Sequence, residues 1–270
     1  MSLANVLWIG GGQGSGKSSV AKTVSRRRGL QLYNIDHRTQ AHVARQAPHE
    51  FASLTLDERW VEPEIDTMLR WFLETSQDRL RIVLEDLADL PAEPGVIVEG
   101  PQLFPSFVAP MLESPAHAVF LVPRPEEQRE RLLARGPMTW TSQPVLARAK
   151  AVERDLRISQ VFAREAEELG LPVLTVDAPL DEMIERADAV LAEVPAGGDL
   201  SVARRIENDA IATQVRLYRA TGEPAKPYPQ LIFFCECGRV GCTDELELTL
   251  EDYDAISAAG DRSPLRRPTP

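Results

Sequence analysis

A glycine-rich segment near the start of the chain constrains the fold more than any other feature. It reads Gly11-Gly12-Gln13-Gly14-Ser15-Gly16-Lys17-Ser18 and follows an apolar run that predicts a buried strand over Leu3–Ile9. The stretch Ser18–Arg28 contains neither proline nor glycine and predicts a helix directly after the loop. Glycines let successive backbone N–H groups turn inward and form a cradle for an anion. The pattern G-x-x-x-x-G-K-[ST], placed between a strand and a helix, is that of the phosphate-binding P-loop.

The loop predicts a site for a nucleoside triphosphate and magnesium. Lys17 is expected to reach the β- and γ-phosphates, and the Ser18 hydroxyl is expected to bind Mg²⁺. The positive end of the following helix faces the same anion. The expected cofactors are therefore ATP and Mg²⁺. The residues expected to bind them are Gly11, Gly12, Gln13, Gly14, Ser15, Gly16, Lys17, Ser18 and Ser19.

Strand-like and helix-like stretches alternate from residue 1 to about residue 194. Further short apolar runs predict strands at Leu30–Ile35, Val96–Glu99, Ala118–Val122 and Val173–Val176. Helices are predicted at Thr39–Ala47, Glu64–Leu90 (with a break), Pro125–Ala134, Val145–Leu169 and Leu180–Glu193. This alternation favours an α/β protein. The predicted fold is a three-layer P-loop NTPase fold with a five-stranded parallel sheet.

Residues after 194 predict a small C-terminal α+β module. The segment 195–199 has the composition of a hinge, and an amphipathic helix is predicted over Ser201–Arg219 with Ser201 as its N-cap. A loop, two strands, a helix and a frayed tail follow, at Gly222–Pro229, Leu231–Cys235, Leu246–Leu250, Glu251–Ala258 and Gly260–Pro270. The expected domains are 1–194, a linker with the helix at 195–229, and a cysteine-containing module at 230–270.

Composition narrows the choice of partners. The chain has 270 residues and a formal net charge of −11, which disfavours non-specific binding of nucleic acid. Its apolar runs are shorter than the ~20 residues that cross a bilayer, and its first residues lack the layout of a signal peptide. Three cysteines within eight residues do not suit a disulfide framework. We therefore expect a cytoplasmic protein with no membrane partner.

Acidic residues follow two predicted strands at the sheet edge that carries the P-loop. Asp36, after the second strand, is expected to orient or deprotonate an acceptor hydroxyl; the alternative is an N-cap for the next helix. Glu99, at the end of the third strand, is expected to polarise a Mg²⁺-bound water or to act as the base. The acidic residues in Leu84–Leu87 are a weaker candidate, because they lie inside a helix-compatible stretch.

An arginine-rich segment follows the fourth predicted strand. Phosphoryl transfer spreads negative charge over phosphate oxygens, and arginines supply bidentate donors for it. Arg131 and Arg135 are four residues apart, so they are expected to share a helix face and to contact ATP. The alternative is salt bridges to glutamates of the same segment, such as Glu127. The residues Gly136–Trp140 are expected to form the mobile crown of a lid.

With these motifs, residues 1–194 resemble the small P-loop kinases of the adenylate-kinase, shikimate-kinase and gluconate-kinase type. The resemblance is carried by Gly11–Ser18, by Asp36 and by the arginine helix 124–135. It implies that Lys17 and Ser18 bind ATP·Mg, that Asp36 handles the acceptor, and that lid arginines close on the phosphates. Residues 49–90 would form the acceptor-binding part.

The chain departs from nucleotide kinases in this family. It has no clear arginine for an acceptor phosphate, and the segment 49–90 carries Trp60 and Trp71 among many carboxylates. Such a segment suits a hydroxylated or cationic acceptor, although each tryptophan could equally be part of the core. Zeta-toxin-like sugar-nucleotide kinases are a less favoured resemblance.

The cysteines Cys235, Cys237 and Cys242 form the pattern C-x-C-x₄-C on a turn that contains glycine. Three thiolates so close together suit a soft metal such as zinc, which requires a fourth ligand from Glu236, Asp244, water or elsewhere. The alternative is three reduced cysteines in a small turn. The segment 204–257 also resembles a short bacterial module without an assigned activity, but the histidine that ends its usual form is absent here.

These residues together predict an ATP- and Mg²⁺-dependent kinase that phosphorylates a hydroxyl of a small metabolite. The alternative is a nucleotide-dependent switch that signals to a protein partner through the C-terminal module. A GTPase is disfavoured, because the chain has no Asn-Lys-x-Asp segment to read guanine.

Overall fold

The computed structural model describes residues 2–46, 50–221 and 230–267. The predicted loop Gly222–Pro229 lies outside the described residues. The same is true of His49 and of the last three residues of the predicted tail.

A five-stranded parallel sheet forms the centre of the larger unit. Its strands lie in the order β2-β3-β1-β4-β5. Their bounds are Val6–Gly11 (β1), Gln31–Asn34 (β2), Val96–Glu99 (β3), Ala118–Pro123 (β4) and Val173–Val176 (β5). The first four are almost wholly buried, as expected for apolar parallel strands covered on both faces.

Helices cover both faces of the sheet. Because side chains alternate along a strand, Trp8 of β1 points to one face and Ile9 to the other. Trp8 packs with Val83 and Phe162, whereas Ile9 packs with Val20 and Met183. The three-layer α/β prediction is therefore confirmed. The helices of this unit are Lys17–Arg28 (α1), Thr39–Val43 (α2), Glu50–Ser53 (α3), Leu56–Trp60 (α4), Ile65–Asp89 (α5), Pro105–Val108 (α6), Pro125–Leu133 (α7), Pro144–Glu168 (α8) and Leu180–Val190 (α9).

Among the predicted elements of this unit, the helix α5 and the first strand differ from the structure for clear physical reasons. The helix α5 runs unbroken from Ile65 to Asp89, because it contains no proline or glycine and packs along its length. The first strand begins at Val6 instead of Leu3, because residues Leu3–Asn5 form a 3₁₀ turn capped by the Ser2 hydroxyl.

The C-terminal unit is a helix, a two-stranded antiparallel sheet and a second helix. Their bounds are Leu200–Ala220 (α10), Leu231–Phe234 (β6), Glu245–Leu248 (β7) and Leu250–Ala259 (α11). Phe233 stacks on Tyr253 with ring centroids 4.2 Å apart. The N-cap of α10 is Asp199 instead of the predicted Ser201, because the Asp199 carboxylate accepts the N–H groups of Ser201 and Val202.

The described part of the tail is packed, in contrast to the predicted fraying. Residues Ser263–Leu265 form a 3₁₀ turn and Leu265 is fully buried. Arg262 donates hydrogen bonds to both carboxylate oxygens of Glu236, at 2.6 and 2.7 Å. This buried ion pair joins the tail to the turn that carries the cysteines.

A buried ion cluster attaches α10 to the P-loop unit. Glu207 of α10 accepts hydrogen bonds from Arg26 of α1 at 2.6 Å, from Arg204 at 2.6 Å and from the Leu32 N–H of β2 at 2.8 Å. Burial alone would raise the pKa of Glu207, but the two guanidinium groups outweigh it and hold that pKa below its ordinary value. The helix predicted as part of a linker is therefore packed against α1 and the sheet.

None of the described helices combines the length and apolarity that a membrane span needs.

Candidate active site at the carboxyl edge of the sheet

The glycine-rich loop joins β1 to α1 in a conformation that its glycines make accessible. Gly16 is the N-cap of α1 and has a φ of 80°, in the left-handed region that strains other residues. Gly12 approaches α8 so closely that a Cβ at this position would lie 1.9 Å from the Ser159 Oγ. Both positions therefore require glycine, one for its backbone angles and the other for its lack of a side chain.

The loop presents donors that suit a triphosphate. The first hydrogen bond of α1 runs from the Val20 N–H to the Gly16 carbonyl, so the N–H groups of Lys17, Ser18 and Ser19 have no acceptor within the helix. The Ser15 Oγ is buried and has no hydrogen-bond partner among the described residues. The Lys17 side chain is also buried in this loop. An unpaired hydroxyl and first-turn N–H groups without an acceptor in the helix, beside a buried ammonium, fit a bound polyphosphate.

Glu99 lies next to the loop because of the strand register. β3 pairs with both β1 and β2, which places Glu99 opposite Ile9 and Asn34. The Asn34 amide donates to one carboxylate oxygen of Glu99, and the other oxygen has no hydrogen-bond partner among the described residues. A buried carboxylate with an unpaired oxygen is a suitable donor for Mg²⁺, together with the Ser18 hydroxyl.

The pKa of Glu99 is perturbed by this environment. Burial raises it to about 7, the nearby Lys17 ammonium lowers it, and the negative charge of Asp36 adds to the increase. Lys17 and Asp36 therefore both lie close enough to Glu99 for their charges to act on its carboxylate. Three of the predicted catalytic residues are thus brought together at one edge of the sheet.

Asp36 occupies an exposed position at this edge. The Ile35 N–H continues the sheet by donating to the Glu99 carbonyl at 3.0 Å, and Asp36 then opens a 3₁₀ turn, Asp36–Arg38. Asp36 is not the N-cap of the following helix α2, since that position belongs to Arg38. The N-cap alternative is therefore wrong for α2, and the role of Asp36 toward an acceptor stays a prediction.

The two predicted arginines occupy different environments. Arg131 donates to the Gly14 carbonyl of the P-loop at 3.3 Å and to Glu127 at 3.0 Å. Arg135 is exposed and follows the end of α7 at Leu133, so the expectation of a shared helix face is wrong. The helix ends there because Gly136 and Pro137 follow. Contact of either arginine with ATP stays a prediction.

The segment predicted as the crown of a lid is a short anchored loop. Met138 is buried against Val61 and Ala147, and the Arg148 Nε donates to the Gly136 carbonyl at 2.6 Å. Trp140 lies in the same loop and borders a large cavity that also contains Asp36.

A second cavity brings Trp60 and Trp71, which the sequence indicated, together with polar residues that it did not. A cavity of about 190 Å³ is lined by Trp60, Trp71, Arg79 and Arg154, among others. The Arg79 Nε and the Gln102 Oε1 in its wall have no hydrogen-bond partners among the described residues. Burial lowers the pKa of Arg79, and the charge of Asp36 opposes this effect. In the sequence, Trp60 and Trp71 could be noticed because they stand among many carboxylates. No sequence pattern marks Arg79, because its neighbours come together only when α5 packs.

The Sγ atoms of Cys235, Cys237 and Cys242 lie within 4.8 Å of one another. Of the candidate fourth ligands, Glu236 is engaged by Arg262 and Asn208, whereas the Asp244 carboxylate lies 3.5 Å from the Cys242 Sγ.

The cysteine turn also offers hydrogen bonds to sulfur. The Arg267 N–H donates to the Cys235 Sγ at 3.2 Å, and the Arg239 Nε donates to the Cys237 Sγ at 3.4 Å. Such bonds stabilise thiolates, so the donor set fits a thiophilic metal ion.

No protein-family model matches the chain, and no curated protein matches it in sequence. Similar solved structures include a gluconokinase from Sinorhizobium meliloti 1021, at 22% identity over 70% of this chain and 93% of that one, with a TM-score of 0.38. A shikimate kinase from Bacteroides thetaiotaomicron is 16% identical over 68% and 94% of the chains, with a TM-score of 0.38. An unliganded sugar kinase from Janibacter sp. HTCC2649 is 20% identical over 70% and 98%, with a TM-score of 0.33.

All three of these proteins are named as kinases of small molecules. The fold class of this chain rests on its parallel sheet and the helices that cover it.

Proposed function

We propose that the protein is an ATP- and Mg²⁺-dependent phosphotransferase that acts on a hydroxyl of a small molecule. The observation that carries the proposal is the grouping of buried Lys17, buried Glu99 and exposed Asp36 beside the first turn of α1, whose N–H groups have no acceptor within the helix. This arrangement supports an anion site, a site for a divalent cation and a carboxylate for the acceptor at one edge of the sheet.

The reaction follows from these positions. Lys17 and the loop amides neutralise the β- and γ-phosphates, and Arg131 adds charge from α7. Ser18 and Glu99 would hold Mg²⁺, which supplies further charge neutralisation. Asp36 orients the acceptor hydroxyl and takes its proton while the hydroxyl oxygen bonds to the γ-phosphorus. The bond between the γ-phosphorus and the β–γ bridging oxygen breaks, so that ADP leaves with the electron pair.

The proposal is tested by replacing Lys17 with alanine. The variant should lose ATP turnover by about a thousandfold or more while its thermal unfolding stays close to that of the wild type. Lys22→Ala is the matched control, since Lys22 lies on the same helix but pairs with Glu245 at 2.7 Å on the surface. ATP turnover that survives in Lys17→Ala would exclude this loop as the catalytic site.

We also propose that Cys235, Cys237 and Cys242 bind a zinc ion, with Asp244 or a water as the fourth ligand. Their mutual distances and the hydrogen bonds to their sulfur atoms support the proposal. Protein purified without chelators should contain about one zinc per chain by elemental analysis. Cys237→Ser should lose it, and Ser257→Ala serves as a control in the same unit. The site would be refuted if the purified protein contained no metal and its melting temperature did not change when a chelator was added.

A nucleotide-dependent switch is a second candidate, favoured by one contact. The Gly241 N–H, in the cysteine turn, donates at 2.8 Å to the Arg26 carbonyl in the last turn of α1. Because α1 begins at the P-loop and is about 18 Å long, it links the nucleotide site to the cysteine turn. A switch would bind a protein partner in a nucleotide-dependent way and phosphorylate no small molecule. Stoichiometric phosphate transfer to an acceptor would favour the kinase.

A further inference from the structure

A large cavity lies between the P-loop unit and the C-terminal unit and has a volume of about 850 Å³. The P-loop unit contributes Asp36 and Trp60 to its wall, and the C-terminal unit contributes Ile211, Val215 and Ile232. The carboxylate assigned to the acceptor hydroxyl therefore faces a space that α10 and β6 help to enclose. The C-terminal unit is part of the wall of this site.

The two walls are held together by direct contacts. The Gln214 side-chain oxygen on α10 accepts the backbone N–H of Gln40, at 2.8 Å, and both residues line the cavity. Two turns earlier in α10, the buried Glu207 accepts hydrogen bonds from Arg26 and from the Leu32 N–H. These contacts fix the position of α10 relative to Asp36, so the shape of the cavity depends on the C-terminal unit.

The described part of the wall has little net charge. Of its described residues, Asp36 and Arg59 are charged and have opposite signs. His37 is neutral near pH 7, because burial lowers its pKa to about 4. The other described residues are amides, a hydroxyl-bearing threonine and tyrosine, and aromatic or aliphatic side chains, including Trp60 and Trp140. A compact, multiply charged ligand would find few partners here, whereas an apolar or aromatic ligand would bury its surface.

The volume supports a ligand of moderate size. Sites for drug-sized molecules have volumes of roughly 300–1,000 Å³, are mostly apolar and contain a few placed polar groups. The cavity falls in the upper part of this range and its polar group nearest to the reaction chemistry is Asp36.

We propose that the phosphoryl acceptor is an uncharged molecule with an aromatic or aliphatic body, bound between the two units with one hydroxyl at Asp36. The inference rests on the proposed kinase function for the identity of this ligand as the acceptor. It assigns substrate selection to the C-terminal unit, through Ile211, Val215 and Ile232.

The experiment compares two panels of compounds, neutral aromatic and aliphatic alcohols on the one hand and sugars with sugar acids on the other. Binding is measured without ATP by ligand-observed NMR, and phosphate transfer is measured with ATP and Mg²⁺ by mass spectrometry. The alcohols should bind and gain phosphate, and the sugars and sugar acids should do neither.

A pair of variants locates the binding. Ile232→Glu places a charge on the cavity wall at a residue that is 42% exposed, and it should weaken alcohol binding by about tenfold. The control is Leu217→Glu, a residue of α10 that is 36% exposed and does not line the cavity, and it should leave binding unchanged. Circular dichroism checks that both variants fold.

The failures of the two proposals are distinguishable. Phosphate transfer to sugar acids, with no effect of Ile232→Glu, would overturn the acceptor class and leave the kinase proposal intact. Alcohol binding that Ile232→Glu abolishes, without transfer of phosphate to any compound, would refute the kinase proposal and with it the acceptor assignment. Equal weakening of alcohol binding by both variants would refute the assignment of the cavity.

Discussion

Replacing Glu99 with glutamine should stabilise the protein at alkaline pH while it removes activity. The carboxylate is buried beside Asn34, and burial raises its pKa from an ordinary 4.5 to about 7. A carboxyl group whose pKa is higher in the folded state stabilises the protein below its unfolded pKa, and this contribution is lost as the pH rises through the folded pKa. The wild type therefore carries an ionisation cost above pH 7 that a neutral glutamine avoids.

The magnitude follows from the two pKa values. Between about pH 5.5 and about pH 8.5, proton linkage predicts that ionisation of Glu99 lowers the free energy of unfolding by about 2 kcal/mol. The difference in unfolding free energy between Glu99→Gln and the wild type should therefore grow by that amount over this range. Phosphate transfer by the variant should fall at every pH, because the glutamine cannot supply a negative charge to Mg²⁺.

The assay is urea unfolding followed by tryptophan fluorescence at several pH values. Glu207→Gln is a matched control, since it is the same substitution at an equally buried carboxylate with a lowered pKa. That variant should be destabilised by about 3–5 kcal/mol near neutral pH, because Arg26 and Arg204 lose their buried counter-charge. A stability difference for Glu99→Gln that does not change with pH would refute the reasoning about Glu99.

Three further variants test the P-loop, a titrating histidine and the core. Gly12→Ala should weaken ATP binding by about tenfold or more in calorimetry, because its Cβ would lie 1.9 Å from the Ser159 Oγ. Adding Ser159→Gly to the same chain should restore part of the affinity. If it does not, this clash is not the cause of the loss. His37 has a folded pKa of about 4 against an ordinary 6.5, so its contribution to stability is present above pH 6.5 and is lost as the pH falls through 4. As the pH falls from about 7 to about 5.5, the free energy of unfolding of His37→Gln should rise by about 1 kcal/mol relative to that of the wild type, measured by urea unfolding. A difference that does not change with pH would contradict the lowered pKa. Phe162→Ala removes a buried ring that stacks 4.6 Å from Phe104 and should lower the free energy of unfolding by about 3–5 kcal/mol, and a loss below about 1 kcal/mol would contradict this packing.

Much of the larger unit could be predicted because its signals are local. The strands Val96–Glu99 and Val173–Val176 have the predicted bounds, since short apolar runs between turn residues leave few alternatives. The P-loop could be recognised because its glycines, Lys17 and Ser18 act at fixed spacing within one turn of chain. Element ends were less accurate. Ser201 is a good capping residue by type, yet Asp199 two positions earlier has the better geometry for the first N–H groups of α10.

The candidate site was only partly predictable. Asp36 and Glu99 could be inferred, because parallel strands bring their carboxyl ends to one edge. Arg79 lies in the middle of α5 without any distinguishing spacing, and its proximity to Asp36 follows from the packing of α5. The separation of Arg131 from Arg135 depends on where α7 ends, which four-residue spacing does not reveal.

The amino-acid sequence by itself determined the alternating α/β pattern, the phosphate-binding loop and the cysteine turn. Each of these depends on residues that are close together along the chain, so propensity and spacing are sufficient. Only the tertiary structure decided that Glu207 would join α10 to Arg26, 181 residues away along the chain, and that α10 and β6 would enclose a cavity with Asp36. Such contacts form when buried surfaces and buried charges find partners across the whole fold, and no local pattern records which partner is chosen.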